Sequence, residues 1–214
     1  MLNQSNNTLD KILTSIDRMR LFIASEQPKA YRKNPAEGTP EADLTDAERS
    51  HAAALMRVNH AGEVAAQGLY EGQSVFARDD SIKEQMVEAA NEELDHLNWC
   101  RERIEELNEK PSKLGPIWYS GSLIIGSLAG FIGDKWSLGF IEETERQVSN
   151  HLDKHLELLP KQDQRSRKIV TQMRLEEEQH QANAKKAGAE KLPKFIRVLM
   201  KITSKVMTKT AYHI

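Results

Sequence analysis

The chain has 214 residues, 39% of them hydrophobic, with a formal net charge of −2 and one cysteine, Cys100. That length and apolar content support a single well-buried core. Interspersed acids and bases argue against nucleic acid as the main partner, and a lone cysteine excludes an internal disulfide framework and fits a reducing compartment.

Residues 8–25 place Leu9, Ile12, Leu13, Ile16, Met19 and Ile23 at helical spacing, which predicts a short amphipathic helix. Charge is interleaved there, so the continuous apolar core of a secretory signal is not expected. From Gln27 to Asp43 the text changes to Pro28, Pro35, Gly38 and Pro40 among charges, which reads as a linker. Residues 1–44 are therefore an N-terminal helix and Pro-containing linker ahead of a domain at 45–214. Thr45-Asp46-Ala47-Glu48 is a capping-box signature opening a long helix to about Arg78. Ser81-Ile82-Lys83-Glu84 reads as a second box, and Pro111 stops the helix that follows.

Residues 114–132 (LGPIWYSGSLIIGSLAGFI) carry no charge, yet contain Gly115, Gly121, Gly126, Gly130 and three serines. The run is near spanning length but poor as an isolated transmembrane helix. It is either a buried crossover or a segment that meets lipid, and Gly126-x-x-x-Gly130 offers a helix-packing face. Helical text resumes near Asp134 and runs to Pro160, and a fourth long helix runs from about Gln162 to Gly188, a suitable C-terminal glycine. After Pro193, Phe195, Ile196, Leu199, Met200, Ile202 and Val206 interleave with Lys194, Arg197, Lys201, Lys205 and Lys209. This basic amphipathic helix either caps the bundle or lies on an anionic lipid surface.

Chemistry concentrates in Glu93-Leu94-Asp95-His96 and its echo, Glu177-Glu178-Gln179-His180. In a helix, residues three apart share a side, so each Glu-x-x-His aims a carboxylate and an imidazole together. Both pairs fall inside apolar stripes: Met86, Ala89, Leu97, Cys100, Ile104 and Leu107 around the first, Val170, Met173, Ala184 and Ala187 around the second. Carboxylates aimed into a core need neutralising partners, and a metal pair inside a four-helix bundle supplies them. Such a bundle takes one further carboxylate from each remaining helix. The first helix offers Glu63, flanked at helical spacing by Met56, Ala66 and Tyr70. The third offers Glu142, Glu143 and Glu145, of which Glu145 falls nearest the middle of the stripe Leu138, Ile141, Val148, Leu152, Leu156 and Leu159, with Glu142 at its margin and Glu143 pointing away. Glu63 precedes Glu93 by thirty residues and Glu145 precedes Glu177 by thirty-two, so each half is a helical hairpin giving one Glu and then one Glu-x-x-His. Four carboxylates and two neutral imidazoles balance two divalent ions. Mixed oxygen and nitrogen donors without thiolate suit iron or manganese. Glu93 and Glu177 are placed to bridge, Glu63 with His96 to complete one ion, and Glu145 with His180 the other.

The stretch from Leu55 to Gln73, LMRVNHAGEVAAQGLYEGQ, strongly resembles the demethoxyubiquinone hydroxylase family of ubiquinone biosynthesis. The resemblance runs from about Thr45 to the C-terminus and includes both Glu-x-x-His units and Thr144-Glu145-Arg146-Gln147 followed by His151. It implies an all-α, ferritin-like four-helix bundle with an apolar crossover and extra N- and C-terminal helices. It also implies a di-iron monooxygenase that uses O2 to hydroxylate the ring of a polyprenyl demethoxyubiquinol. The family's iron ligands fall on Glu63, Glu93, His96, Glu145, Glu177 and His180, although Glu142-Glu143 also aligns with the third carboxylate. Electrons come from the quinol itself or from NADH, for which no dinucleotide fingerprint is present.

A polyprenyl substrate places the protein peripherally on the cytoplasmic side of the cell membrane, with lipid, other ubiquinone-biosynthesis proteins and a second copy as expected partners. Competing readings are a ferritin-like iron store with ferroxidase activity and a peroxidase-type di-iron protein. His51, His60, His151 and His155 are expected to be structural or solvent-facing, with His151 at most beside the site. Tyr70 reads as a core tyrosine and Cys100 as a small buried hydrophobe.

Overall fold

The structure, a computed structural model, describes residues 30–214; the helix expected at 8–25 lies outside the described residues. The described residues hold six helices, α1 (Asp46–Phe76), α2 (Asp80–Glu106), α3 (Gly115–Ile132), α4 (Asp134–Leu158), α5 (Gln164–Lys186) and α6 (Lys194–His213), and no strand.

Local chemistry sets the boundaries. Thr45 caps α1 through its predicted box, with Thr45 N donating to Glu48 Oε2 at 2.9 Å and Glu48 N to Thr45 Oγ1 at 3.3 Å. The second box is not used. Asp79 caps α2 instead, its Oδ1 accepting from Ser81 N at 2.8 Å and Ile82 N at 3.4 Å. Its own N–H bonds Asp134 Oδ2 at 3.0 Å, which holds Asp79 in the extended conformation a cap needs. The helix also ends before Pro111 acts: Asn108 turns left-handed at φ 62°, and Glu109 N closes on Ile104 O at 3.0 Å. Gly188, at φ 98°, ends α5 as expected, with Ala189 N reaching back to Ala184 O at 3.1 Å.

α1, α2, α4 and α5 form the bundle. Its largest apolar cluster joins Leu55, Met56, Trp99, Cys100, Ile104, Leu152, Ile169, Val170 and Met173. The expected linker is non-helical where described but is not slack. Ala36 and Leu44 enter this cluster, and Glu41 takes two bonds, 2.6 and 2.8 Å, from the fully buried Arg103. Arg103 also reaches Asp163 Oδ1 at 2.9 Å and so ties the end of α2 to the start of α5.

α3 settles the question left by the uncharged run: it is a crossover helix that is not buried. One face lies on α1 so closely that a Cβ on Gly126 would sit 2.2 Å from Leu69 O, and one on Gly72 would sit 2.3 Å from Leu123 O. The other face exposes Ile117, Ile124, Leu128, Phe131 and Ile132, each about 60% accessible. On length and composition α3 is the one helix among the described residues apolar enough to cross a membrane. Contacts of Gly68 with Tyr119, Gly72 with Leu123 and Gly130 with Gln73 advance together along both helices, so α3 runs parallel to α1. It returns the chain to the end where α1 stops, and the second hairpin starts there. α1 and α4 are therefore antiparallel, as are α2 and α5, and a rough two-fold axis crosses the bundle.

α6 does not cap the bundle with its apolar stripe. Only Ala211 is buried, and Tyr212 anchors this end by a 2.7 Å hydrogen bond between its hydroxyl and His51 Nδ1. Phe195, Val198, Leu199, Ile202 and Val206 all face outward.

Candidate metal centre

The predicted carboxylates and imidazoles enter the bundle from four helices: Glu63 from α1, Glu93 and His96 from α2, Glu145 from α4, Glu177 and His180 from α5, all buried. Glu63, Glu93, His96 and Glu177 each offer a ligand atom within 4.8 Å of the others. The two central carboxylates share both histidines. His96 Nδ1 lies 3.3 Å from Glu93 Oε2 and 3.3 Å from Glu177 Oε1, while His180 Nδ1 lies 3.2 Å from Glu93 Oε1 and 3.2 Å from Glu177 Oε2. Glu93 and Glu177 thus each present one oxygen to either half. Glu63 Oε2 joins the His96 half at 3.8 Å from Nδ1. Glu145 belongs to the other half electrostatically, beside the charges of Glu177, Glu93 and His180. Its Oε1 accepts from the Tyr70 hydroxyl at 2.7 Å.

Neighbouring carboxylates do not gather here. Glu142 is half-buried beside Arg146, and Glu143, though buried, bonds Arg146 at 2.7 and 3.0 Å and Gln147 at 2.7 Å. His151 packs at a tilt against His155 with ring centroids 3.9 Å apart, and burial pushes their pKa values down to about 4 and about 3. Burial likewise holds His60 down at about 3, so it stays neutral. Cys100 lies against Met173 Sδ at 3.6 Å, its thiol pushed up by burial, as a small core residue.

Several partners of the site escape a reading by spacing alone. Glu176 Oε2 lies 2.6 Å from His96 Nε2, and Glu92 Oε2 lies 2.6 Å from His180 Nε2. Each histidine is held by a glutamate from the opposite hairpin, the residue just before that hairpin's inward Glu. The doubled acids Glu92-Glu93 and Glu176-Glu177 are the only sequence signal for this exchange. Tyr70 follows Glu63 by two helical turns, which is why its hydroxyl reaches the same centre.

The electrostatics call for cations. Burial and the nearby Glu93 charge push the Glu63 carboxyl well above its ordinary range, and burial with Glu177 and Glu93 does the same to Glu145. Burial opposes charge on His96 and His180, but the surrounding glutamates outweigh it and raise both imidazoles. Both Glu93 oxygens and His96 Nδ1 are also buried without a hydrogen-bond partner among the described residues, lone pairs aimed at a shared interior point. An oxygen-rich set with two imidazoles and no thiolate fits iron. Such paired Glu-x-x-His helices are the known di-iron carboxylate arrangement.

A pocket of about 130 Å³ opens beside His180 and Tyr70, its wall divided between apolar Ile82, Met86, Leu138 and Ile141 and polar Gln85, Glu88, Glu92, Gln179 and Asn183. It lies at the end of the bundle where α1 meets α2 and α3 meets α4.

Residues 50–211 match the family described as "Ubiquinone biosynthesis protein COQ7". Among curated relatives, the 3-demethoxyubiquinol 3-hydroxylase of Ralstonia pickettii (strain 12J) is 52% identical over 217 residues, covering 96% of this chain and 100% of the relative. The same-named protein of Chromobacterium violaceum is 50% identical over 207 residues, covering 96% and 100%. That of Xanthomonas campestris pv. campestris (strain 8004) is 50% identical over 207 residues, covering 97% and 95%. Among solved structures, a dodecameric thioferritin of Bacteroides fragilis superposes with a TM-score of 0.54 at 16% identity, covering 63% of this chain and 82% of that one. The bundle is ferritin-like.

Proposed function

Since the chain belongs to the COQ7 family of ubiquinone biosynthesis proteins, we propose that it is a monooxygenase that hydroxylates the ring of a polyprenyl demethoxyubiquinol. The observation that carries the reading is the exchange of oxygens at the centre, where Glu93 and Glu177 each face both His96 and His180. Residues 45–214 carry the hydroxylase centre, and residues 30–44 pack onto the same core.

Two iron ions would be held by Glu63 and His96 on one side and by Glu145 and His180 on the other, with Glu93 and Glu177 between them. When bound, iron supplies the activation of O2 that side chains alone do not provide. One oxygen atom would enter the ring C–H bond and the other would leave as water, with two electrons and two protons from the quinol, or from NADH and solvent.

The protein's own part is geometric. Glu92 and Glu176 accept from the Nε2–H groups, which fixes the tautomer and turns each Nδ1 lone pair inward. Tyr70 donates to Glu145 and holds its carboxylate in one orientation. The pocket beside His180 would receive the ring, its apolar side chains against the ring face and its polar ones toward the mouth.

The isoprenoid tail leaves by the exposed faces of α3 and α6. Their apolar residues and the lysines of α6 suit attachment to an anionic membrane surface, peripherally and on the cytoplasmic side. A soluble iron store has no use for two such faces, which weighs against the ferroxidase reading.

Iron analysis of the purified protein, with extraction of co-purified quinone, tests the proposal. The expectation is two irons per chain and a demethoxyubiquinone-type lipid. Glu93→Ala and Glu177→Ala are each expected to lose iron and hydroxylation together; full activity in either defeats the assignment.

A further inference from the structure

The two halves of the centre share their ligand chemistry but not their surroundings. Behind His96, Glu176 is itself clamped. Arg32 Nη1 and Nη2 reach Glu176 Oε1 and Oε2 at 2.6 and 3.0 Å, and Gln172 Nε2 donates to Oε1 at 2.6 Å. Arg32 is in turn fixed by Nε on Asp95 Oδ2 at 2.5 Å and by the Trp99 ring, 5.0 Å below its guanidinium, while Tyr31 N bonds Asp95 Oδ1 at 2.6 Å. The Glu176 side chain is 15% exposed. Behind His180, Glu92 is 44% exposed, no Lys or Arg pairs with it among the described residues, and it lines the pocket. A bidentate guanidinium fork fixes a carboxylate far better than a single contact in water does.

We infer that Arg32 is a positioning residue which, through Glu176, makes the His96 position the tight, permanent metal site and leaves the His180 position as the one that exchanges. The ligand most exposed to motion then stands beside the pocket, where an incoming ring or O2 needs a coordination position to change. The clamp comes from the non-helical segment ahead of the bundle, so this segment tunes a metal site it does not touch. The inference rests on the metal-centre reading above and adds an order of affinity to it.

Cobalt(II) titration of the metal-free full chain tests it. His180→Ala confines cobalt to the His96 half and His96→Ala to the His180 half. The His180→Ala chain is expected to bind more tightly. Adding Arg32→Gln should weaken that chain roughly ten- to hundredfold, the usual cost of losing a group that orients a metal ligand, and shift its visible cobalt bands. The same substitution should leave the His96→Ala chain unchanged. Arg32→Lys, which keeps the charge and loses the fork, should fall between. Equal weakening of both halves, the result of a merely structural role, overturns the inference, as does no weakening of either. A chain with all six ligands intact that binds no cobalt defeats the metal-centre reading itself.

Discussion

Gly72→Ala is a small change with a large expected effect. The added Cβ would lie 2.3 Å from Leu123 O and 2.6 Å from Ser127 N, both backbone atoms of α3. Neither can rotate away, so α3 must lift by about 1 Å to restore ordinary carbon–oxygen contact at roughly 3.4 Å. Overpacking of this kind costs about 1–3 kcal/mol, and two backbone clashes put it near about 3. Against this, replacing a mid-helix glycine by alanine returns roughly 0.5–1 kcal/mol. The clash wins by about 2 kcal/mol, or a fall in Tm of roughly 4–8 °C for a chain of this size.

Gly121→Ala is the control. It lies on the exposed side of α3 with nothing within 4 Å of its Cβ, so only the helical gain remains and Tm should rise. Thermal denaturation by circular dichroism reads both. If Gly72→Ala is as stable as Gly121→Ala, the close contact of α1 with α3 is refuted. Tyr119 donates to Glu71 at 2.5 Å across the same interface, so lifting α3 also strains that bond.

Further outcomes test the site, its surroundings and the outer faces. Glu145→Ala should lose about half the bound iron while Glu142→Ala, beside Arg146, keeps it all; the reverse would move the third carboxylate to Glu142. His155 is held neutral by burial with a pKa near 3 against an ordinary 6.5, so its contribution to stability is complete above 6.5 and is lost as pH falls from there toward 3. The difference between wild-type and His155→Gln stability curves should therefore slope by up to about 1.4 kcal/mol per pH unit between pH 4 and 6; parallel curves would contradict the burial. On α6, Leu199 and Ile202 are 58% and 55% exposed. Replacing both by Glu should weaken co-sedimentation with anionic vesicles by about a hundredfold or more, from about 2 kcal/mol of lost burial per side chain. Undiminished binding would remove α6 from the membrane face.

The helices and the inward positions were legible because period and chemistry coincide in them. Glu93 and His96 sit within a stripe of Met86, Leu97, Cys100 and Ile104, and a polar residue in such a stripe identifies itself. Thr45 and Gly188 announce their helix ends for equally local reasons. The cap of α2 was misread because Ser81 and Glu84 satisfy the pattern, while the extended backbone of Asp79 depends on Asp134, fifty-five residues away. Glu92 and Glu176 look like ordinary solvated acids in their own helices, and only the antiparallel meeting of α2 and α5 gives them histidines. Arg32 has no periodicity to read at all. Its role comes from a chain segment whose proline punctuation speaks of flexibility and whose packing contradicts it. The glycines of α3 were visible, but not that they would be shared with Gly68 and Gly72 of α1 to bring two backbones together.

The crossover has a consequence for where the protein can work. Two antiparallel hairpins related by such a dyad must begin at opposite ends, so the chain has to retrace the length of the bundle between them. α3 does this in a single rod with no charge on it, welded to α1 along one edge and bare along the other. In water that bare flank is a standing invitation to aggregate. Against a bilayer it would be an adhesive strip, in contact with the phase in which a polyprenyl lipid dissolves. The topology that sets the symmetry of the core and the surface that selects its environment are thus the same eighteen residues.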